Sequence, residues 1–523
     1  MTPVDYNHGA PGSPAHGAAA RIRALVERVA TDKTFNRAAA VASALVSDID
    51  ALIHRQIDTH GSEAIAEGVP ASPGAATGRL VVTAEAALDA ADEGDSVILI
   101  RDETGPEDVL GMRVADGIVT TRGGTASHAA VIARGWGIPA IVGMGELTVH
   151  ADGISISGRT VPTGTVISVD GTSGQLYIGS ALAAPAMDCP ELDTLLAWAD
   201  EIRGGRIQLR VNADDATSAT EARARGAEGV GLCRSEHMFF ADDRLPLIRR
   251  LLLTGSGEPD STVVGQLEDA QQQDFEALLT AMDGLPVCVR LLDPPAHEFL
   301  SDTDLDAHGR QRETNPMMGV RGIRLAVAKP WIYPMQLHAL TRAVDRLRRR
   351  GLHPRVEVMI PLVMNAAELR AARSWVKEGA DFAIGTMIET PRAAIMAETL
   401  AFEGDFVSFG TNDLTQLTLG LSRDDAESEL LPSYFDRGLL VDNPFIHLDE
   451  EGVGFLIHHA VANARKAKPE IKIGVCGEHA GDPRSAGFLI DSGVDYLSCS
   501  PYRLPALRLT VAQHLLGQRR EPA

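Results

Sequence analysis

Residues 382–389 read FAIGTMIE and residues 406–413 read FVSFGTND, and the pattern that these two segments share predicts the fold. Each is a short apolar run, rich in β-branched or aromatic residues, that ends in polar residues. The same pattern occurs in six other segments, at 207–213, 229–235, 286–293, 356–363, 472–478 and 496–502. Helical stretches such as 336–349, 366–377 and 453–466 fall between them. Eight strands that alternate with helices predict a (β/α)8 TIM barrel, and therefore an α/β protein.

Polar residues are concentrated at the ends of these segments. The expected strand ends carry Asn212, Arg234, Arg290 with Asp293, Glu389, Asn412 with Asp413, and Cys476 with Glu478. In a TIM barrel the chemistry takes place at the carboxyl ends of the strands. Six polar ends out of eight, among them arginines, carboxylates and a cysteine, exceed what the solubility of loops requires. The sequence therefore predicts an active site at this end of the barrel.

A compact α/β domain is expected ahead of the barrel, at residues 68–180. Its strand-like segments are 78–83, 96–100, 117–121, 140–142 and 165–169, separated by Gly, Asp and Pro. Residues 1–67 are expected to form a tail and a short helical segment. Residues 181–205 are interpreted as a partly helical linker, and residues 206–523 as the barrel domain.

One histidine of the first domain, His128, stands in the string TRGGTASHAAVIARGWGIPAIVG, residues 121–143. The two glycines allow a tight turn after the strand at 117–121, and Thr125 or Ser127 can cap a helix that begins near His128. The helix dipole there opposes protonation of the imidazole, which keeps it a neutral nucleophile, and favours the anion once a phosphoryl group is attached. A lone histidine is more often a capping or core residue, so the functional interpretation depends on the surrounding string.

The string GG-x-x-S-H-A-A-x-x-A-R closely resembles the phosphohistidine motif of the phosphoenolpyruvate-utilising enzymes. The resemblance covers most of the chain from about residue 68. It continues through GVGLCRSEHMFF, VRLLDPPAHEF, NPMMGVRGIRL, GTMIETPRAA, SFGTNDLTQLTLGLSRDD, GVCGEHAGDPRS and SCSPYR. LDPPAHEF and CGEHAGDP are similar to the pyruvate, phosphate dikinase branch of that family. The resemblance implies that His128 sits on a swivelling phosphohistidine domain and carries phosphate between two sites, with residues 181–205 as the hinge.

One position departs from the family motif. The family usually has Thr or Ser two residues before the histidine, where this chain has Ala126. In pyruvate, phosphate dikinases that threonine is the target of a regulatory kinase, so this form of control is not expected here. Ser127 remains as a hydroxyl beside His128.

The resemblance also assigns the residues that bind the substrate. Arginine guanidinium groups bind carboxylates and phosphates in a forked geometry, which suits the two anionic groups of phosphoenolpyruvate. By resemblance Arg234 and Arg290 contact the phosphate, and Arg321 and Asn412 assist. The alternative for any single arginine is an ion pair on the surface, which is the commoner role of arginines in general.

Glu389 and Asp413 are expected at the ends of neighbouring strands, where their carboxylates are suitable ligands for Mg²⁺. In the family the equivalent pair holds the metal that bridges pyruvate oxygens and phosphate, so the expected cofactor is Mg²⁺. The pair could instead serve as an acid and a base. Neighbouring arginines are expected to keep both carboxylates ionised, which favours the metal role.

Cys476 is the remaining candidate catalytic residue. A cysteine is usually a buried structural thiol, but the resemblance assigns Cys476 as the acid that protonates the enolate methylene, and as the base in reverse. The ordinary pKa of a thiol, near 8.5, permits both directions around neutral pH. Cys233, Cys288 and Cys499 are expected to be packing residues within strands. The five cysteines show no zinc spacing, and their odd number is typical of reduced thiols in a cytoplasmic protein.

Composition limits the partners. The formal net charge of −23 disfavours nucleic acid and anionic membranes, and no apolar stretch of about 18 residues occurs. A cytoplasmic protein is therefore expected, with phosphoenolpyruvate and pyruvate as its small-molecule partners. By resemblance it forms a homodimer through the barrel.

A dikinase also contains a nucleotide-binding, ATP-grasp domain, and the segment before residue 68 has neither the room nor a Gly-rich phosphate loop. Three functions are consistent with the expected lack of an ATP-grasp domain in this segment. The first is a dikinase-like phosphotransferase between phosphoenolpyruvate and His128, with a separate protein as phosphate donor or acceptor. The second is a phosphotransferase that acts on a carrier protein, and the third is a non-enzymatic sensor of phosphoenolpyruvate or pyruvate. The catalytic residues disfavour the third, and the dikinase-type motifs disfavour the second.

Overall fold

The computed structural model describes most of the chain. The described residues are 14–53, 57, 63–105, 108–124, 127, 129–130, 133–134, 137–156, 158–180, 189–241, 243–254, 258–293, 299–300, 302–308, 313, 315–376, 380–423, 426 and 430–518. By its contacts the chain divides into two compact units. The first comprises residues 1–205, 422–443 and 505–523, and the second comprises residues 206–421 and 444–504.

Helices from distant parts of the sequence share one core in the first unit. They are α1 (Pro14–Thr31), α2 (Arg37–Ser43), α3 (Val46–Ile53), α6 (Pro190–Arg203) and the C-terminal α20 (Leu504–Gln518). Ile22, Ile49, Leu195 and Leu509 from four of these helices are fully buried in that core. The N-terminal segment expected to be helical contains two short helices, α2 and α3, after α1. The first ends where Ala44 adopts an extended conformation.

The main sheet of the first unit has eight strands in the order β1-β11-β10-β3-β4-β5-β6-β2. Its strands are β1 (Ala66–Glu67), β2 (Val69–Ser72), β3 (Ala75–Val81), β4 (Val97–Arg101), β5 (Gly117–Thr120), β6 (Ala140–Val142), β10 (Val166–Asp170) and β11 (Gln175–Ile178). The pairs joining β3, β4, β5 and β6 are parallel, and the other pairs are antiparallel. Helices α4 (Ala84–Asp92) and α5 (Val109–Val114) connect the parallel strands.

A separate antiparallel sheet of three strands follows β6. It consists of β7 (Leu147–His150), β8 (Gly153–Ile156) and β9 (Arg159–Pro162). The sequence pattern predicted neither this sheet nor strands β1, β2 and β11. These strands are two to four residues long, which is too short for an alternating pattern to separate them from turns.

The second unit contains a closed barrel of eight parallel strands, which confirms the predicted fold class. The strands are β12 (Gln208–Asn212), β13 (Val230–Arg234), β14 (Pro286–Arg290), β15 (Arg355–Ile360), β16 (Ala383–Ile388), β17 (Phe406–Phe409), β18 (Lys472–Val475) and β19 (Tyr496–Cys499). Every strand lies within the segment predicted for it, except that β15 begins one residue earlier. The strands are almost entirely buried because helices cover the outside and side chains fill the inside.

Helices and short turns connect the barrel strands. The helices are α7 (Ala216–Ala224), α8 (Leu245–Leu253), α9 (Ser261–Ala281), α10 (Asp302–Ala307), α11 (Gly322–Ala328), α12 (Ile332–Arg349), α13 (Ala366–Ser374), α14 (Pro391–Ile395), α15 (Ala397–Glu403), α16 (Thr411–Leu419), α18 (Phe455–Ala467) and α19 (Pro483–Asp491). Helix α17 (Leu431–Asp436) lies in the part of the first unit that interrupts the barrel sequence. Among the described helices, none combines the length and the apolar character needed to cross a lipid bilayer.

Candidate active site

The parallel strands place the predicted site residues at one end of the barrel. Arg234 and Arg290 are the last residues of β13 and β14. Glu389 directly follows β16, Asp413 lies in the first turn of α16 after β17, and Cys476 directly follows β18. Since all eight strands run in the same direction around a closed barrel, their carboxyl ends form one rim. Residues that are far apart in sequence are therefore neighbours on this rim.

Arg321 forms ion pairs with two of the carboxylates, Asp293 and Asp413. Its Nε and Nη2 donate to the two oxygens of Asp293 at 2.9 and 2.6 Å, and Nη2 also donates to Asp413 Oδ2 at 2.9 Å. Burial works against the charge of Arg321, but Asp293 and Asp413 raise the pKa of its guanidinium well above the ordinary value. Arg321 is therefore a fixed cation that holds two acidic side chains in place.

Arg290 is paired with Glu236, which lies two residues after the end of β13. Arg290 Nη2 donates to Glu236 Oε1, and Nη1 lies 3.6 Å from Asp293 Oδ2. Despite burial, these carboxylates raise the pKa of the guanidinium. The Nε of Arg290 is buried without an acceptor among the described residues. An unpaired buried N–H of an arginine is unfavourable, so this donor is suited to an anionic ligand.

Three carboxyl groups converge beside these arginines. Oxygen atoms of Asp293, Glu389 and Asp413 all lie within 4.8 Å of one another. Burial, followed by repulsion from Asp413 and Asp293, raises the pKa of Glu389 well above its ordinary value. Although burial alone would raise the pKa of Asp413, Arg321 and the hydrogen bond with Glu389 lower it. The two carboxyl groups therefore differ: the surroundings favour the charged form of Asp413 and disfavour that of Glu389, because the neighbouring carboxylates repel its negative charge.

The end of β15 supplies a backbone donor to this cluster. The N–H of Leu362 donates to Glu389 Oε1 at 2.6 Å. Among the described residues Leu362 is the one non-glycine residue with a positive φ, 54°, a conformation that costs roughly 1 kcal/mol or more for a side-chain-bearing residue. This strained turn directs the N–H at the carboxylate.

Cys476 is buried, and its neighbours come from β17. Ser408 Oγ donates to the sulfur at 3.5 Å, while the thiol faces the carbonyl oxygen of Phe409 at 3.6 Å. Burial raises the pKa of Cys476 to about 11. At neutral pH the thiol is therefore protonated, which suits a proton donor. The ordinary thiol pKa assumed from the sequence is too low because the side chain is removed from water.

Further contacts fix the ends of β17 and β18 to each other. Asn412 Oδ1 accepts a hydrogen bond from the N–H of Glu478 at 2.9 Å. The imidazole of His479 is bound on one side by Thr411 Oγ1 at 2.8 Å and on the other by the carbonyl oxygen of Pro444 at 2.9 Å. Since the oxygen of Asn412 is engaged in this way, its amide nitrogen is the group available to a ligand.

Arg234 is held through its backbone. Its N–H donates to Asp214 Oδ1 at 2.6 Å, and the other oxygen of Asp214 lies 2.8 Å from His237 Nδ1. Burial alone would raise the pKa of Asp214, but His237 and Arg234 lower it. The Asp214 carboxylate therefore anchors the end of β13 that carries Arg234.

His128 lies outside the described residues, and so does Thr125. Nearby, Gly123 has a φ of 95°, and a Cβ there would lie 2.8 Å from Cβ of Ser127. Residues 129, 130, 133 and 134 are helical, and Ser127 Oγ accepts a hydrogen bond from the N–H of Ala130 at 3.4 Å. These contacts describe a glycine turn followed by a capped helix, next to the position of His128.

Three groups that lie in the site are not predicted from the sequence. Asp293 is predicted only as a polar strand end, the pattern assigns no role to Glu236, and no side-chain pattern indicates the N–H of Leu362. For Asp293 a signal existed, because it follows Arg290 by three residues at the same strand end. The pairing of Glu236 with Arg290 joins two different strand ends and could not be read from one segment.

Fold and site together define a TIM-barrel enzyme whose strand ends carry arginines, a buried carboxylate cluster and a buried thiol. Family comparison agrees with this. The family model described as "PEP-utilising enzyme, PEP-binding domain" matches residues 190–516, and that described as "PEP-utilising enzyme, mobile domain" matches residues 93–174. The chain belongs to the phosphoenolpyruvate-utilising enzymes.

Curated relatives are similar over most of this chain. It is 43% identical to pyruvate, phosphate dikinase 1, chloroplastic, of Arabidopsis thaliana, over 89% of this chain and 52% of the relative. It is 43% identical to pyruvate, phosphate dikinase of Rhizobium meliloti (strain 1021), over 94% of this chain and 58% of the relative. Pyruvate, phosphate dikinase 2 of Zea mays is 40% identical, over 92% of this chain and 58% of the relative. The chain thus spans little more than half the length of these relatives.

Proposed function

We propose that this chain transfers a phosphoryl group between phosphoenolpyruvate and His128, and forms or consumes pyruvate in the barrel. The observation that carries the proposal is the arrangement at the barrel rim. Arginines, a carboxylate cluster and a buried protonated thiol converge there, in a chain of the phosphoenolpyruvate-utilising family. The donor or acceptor beyond His128 is proposed to be a separate protein or a further domain.

Arg234 and Arg290 are proposed to bind the phosphate, with Arg321 and Asn412 assisting. Arg290 supports this role because its buried Nε has no acceptor among the described residues. Arg321 is more restricted, since Asp293 and Asp413 already occupy its Nε and Nη2. We assign Arg321 chiefly to holding those carboxylates and to supplying positive charge near the substrate. The amide nitrogen of Asn412 is available because its oxygen accepts from Glu478.

Glu389 and Asp413 are proposed to hold Mg²⁺, with Asp293 as a neighbouring carboxylate. The donor set fits, because buried carboxylate oxygens within 4.8 Å of one another are the ligands that hard divalent cations prefer. The raised pKa of Glu389 arises from burial and from the other carboxylates, and a bound cation would remove that repulsion. When bound, Mg²⁺ would stabilise negative charge on the enolate oxygen.

Cys476 is proposed to give a proton to the methylene carbon when pyruvate forms, and to remove one from the methyl group in reverse. Burial supports the first role directly, because the thiol carries its proton at neutral pH. In the reverse direction the thiolate is needed, and only a small fraction of the thiol is ionised at neutral pH. Ser408 Oγ donates to the sulfur and would stabilise the thiolate.

The domain assignment is part of the proposal. Residues 68–180 are taken as the swivelling domain, residues 206–523 as the barrel domain, and 181–205 as the hinge. Within the hinge segment, Pro190–Arg203 is a helix with buried Leu195 and Leu196. Any hinge movement should therefore occur at other residues of this segment.

The test is incubation with Mg²⁺ and phosphoenolpyruvate labelled at phosphorus. Wild type should release pyruvate and acquire an acid-labile, base-stable label, as expected of phosphohistidine, and His128→Ala should acquire none. His150→Ala is the control, since His150 is exposed on β7 and bonded to Ser155. Wild type without label would exclude phosphotransfer by this chain, and label on His128→Ala would exclude His128 as the acceptor.

A further inference from the structure

Two of the proposed phosphate-binding arginines lie on strands that one buried side chain connects. Gln336, on α12, is completely buried. Its Nε2 donates to Ser235 Oγ at 2.8 Å, and its Oε1 accepts from the N–H of Leu292 at 2.7 Å. Ser235 directly follows Arg234, and Leu292 is two residues after Arg290. One amide thus spans the loops that begin at the two arginines.

The orientation of the amide follows from its partners. The N–H of Leu292 can only donate, so the group facing it must be the oxygen of Gln336, and the nitrogen must face Ser235. The same helix also holds Leu292 from its other side, because Tyr333 OH donates to the carbonyl oxygen of Leu292 at 3.1 Å. Tyr333 and Gln336 are three residues apart and therefore lie on one face of α12.

Ser235 is held in a similar way. Gln271, on α9, is also completely buried, and its Nε2 lies 3.3 Å from the carbonyl oxygen of Ser235. The neighbours of Ser235 in sequence are both part of the site. Arg234 precedes it, and Glu236, the partner of Arg290, follows it. A displacement of Ser235 would therefore move both arginines.

We propose that Gln336 and Ser235 are positioning residues that set the spacing between Arg234 and Arg290 and so tune the site for the phosphate of its ligand. The proposal rests on the proposed function, since it takes both arginines as phosphate contacts. The bridge is rigid because both partners of Gln336 are buried and neither can exchange it for water. Pyruvate, which has no phosphate, does not depend on this spacing.

The test measures the affinities of the full chain for phosphoenolpyruvate and for pyruvate, each with Mg²⁺, by isothermal titration. Gln336→Met and Ser235→Ala should each weaken phosphoenolpyruvate binding by about tenfold, as expected when a buried supporting residue is lost. Pyruvate affinity should change less than twofold. The double variant should be no weaker than Gln336→Met alone, because both changes remove the same bond. Ser235→Thr, which keeps the hydroxyl, should retain wild-type affinity.

Gln513→Met is the matched control. Gln513 also connects two segments, since its Nε2 donates to the carbonyl oxygens of Val41 and Ala44 in the first unit. The Gln513→Met variant should leave the affinities for phosphoenolpyruvate and for pyruvate unchanged. The proposal is overturned if Ser235→Ala and Gln336→Met bind phosphoenolpyruvate as wild type does, or if they weaken both ligands equally. Absence of phosphoenolpyruvate binding by wild type would instead overturn the proposed function itself.

Discussion

The sulfur of Cys476 and the hydroxyl oxygen of Ser408 lie 3.5 Å apart, with the hydroxyl donating to the sulfur across two neighbouring strands. The thiol also faces the carbonyl oxygen of Phe409 and packs with buried apolar side chains such as Leu232, Met359 and Met387. Burial keeps the thiol neutral although Arg290 and Glu389 act on it electrostatically, and a neutral thiol can transfer one proton to a bound ligand.

Exchange of the pyruvate methyl protons should therefore depend steeply on pH. With the pKa of Cys476 at about 11, roughly one molecule in ten thousand carries the thiolate at pH 7. The exchange rate should rise about tenfold per pH unit between pH 7 and 9, measured by NMR in deuterated water. Cys476→Ala should abolish exchange, whereas Cys499→Ala, at another buried thiol, should not. A rate that is flat over this range would exclude the thiolate as the base.

The raised pKa of Cys476 also makes the free energy of unfolding depend on pH. Because the folded protein holds the proton of Cys476 to a higher pH than the unfolded chain, this group favours folding fully only below the ordinary thiol pKa. Its contribution should be lost as the pH rises from about 8.5 to 11. Urea denaturation of wild type should show this loss, and Cys476→Ala should show less of it.

Glu389→Gln tests the metal site without removing side-chain volume. Mg²⁺ at a hundred times its dissociation constant should stabilise wild type by about 2.7 kcal/mol, seen as a rise in unfolding temperature. In Glu389→Gln most of this rise should disappear, because a ligand charge is lost, and Mg²⁺-dependent binding of phosphoenolpyruvate should weaken with it. Glu470→Gln, at an exposed position, is the control. An unchanged rise in Glu389→Gln would remove this residue from the metal site.

Gly477→Ala should disrupt the rim between β17 and β18. A Cβ at this position would lie 1.9 Å from Thr411 Oγ1, so the loop after Cys476 would have to move. Overpacking of this kind typically costs about 1–3 kcal/mol, and activity should fall further because Asn412 and Asp413 follow Thr411 directly. Gly517→Ala is the control, since no atom of the described residues lies within 4 Å of its added Cβ and alanine favours the helix. Stability, measured by denaturation, and turnover of both variants test this prediction.

A buried ion pair inside the barrel should matter for stability but not for chemistry. Arg210 donates to both oxygens of Glu357, at 2.5 and 3.0 Å, across the interior between β12 and β15. Arg210→Met should destabilise the protein by about 3–5 kcal/mol, because it leaves the Glu357 charge with less compensation. The double variant with Glu357→Leu should recover much of the loss in urea denaturation. Equal stability of Arg210→Met and wild type would contradict this.

The ion pair between Arg210 and Glu357 should also make the stability of the protein sensitive to acid. Burial alone would raise the pKa of Glu357, but Arg210 and then Lys472 lower it below its ordinary value. A lowered pKa means that the contribution to folding is present above about pH 4.5 and is lost as the pH falls below it. The double variant should therefore lose less stability than wild type as the pH falls from about 4.5 to about 2.5.

The barrel was predictable because its signals are local. Each strand is a short apolar run bounded by polar residues, and the alternation with helices admits few other folds. The first unit was less predictable. Its three-stranded sheet and strands β1, β2 and β11 are too short for a periodic pattern, and the pairing of β1 with β11 joins residues more than a hundred positions apart.

The fold class, the family resemblance and the residues at the strand ends follow from the sequence, because strand direction brings the carboxyl ends of parallel strands together. The interactions between those residues follow from the tertiary structure. The pairing of Arg290 with Glu236 and the raised pKa values of Glu389 and Cys476 depend on burial and on charges from other strands. The strength of these electrostatic interactions decreases with distance and increases where water is excluded. Neither the distances nor the exclusion of water can be inferred from the sequence alone.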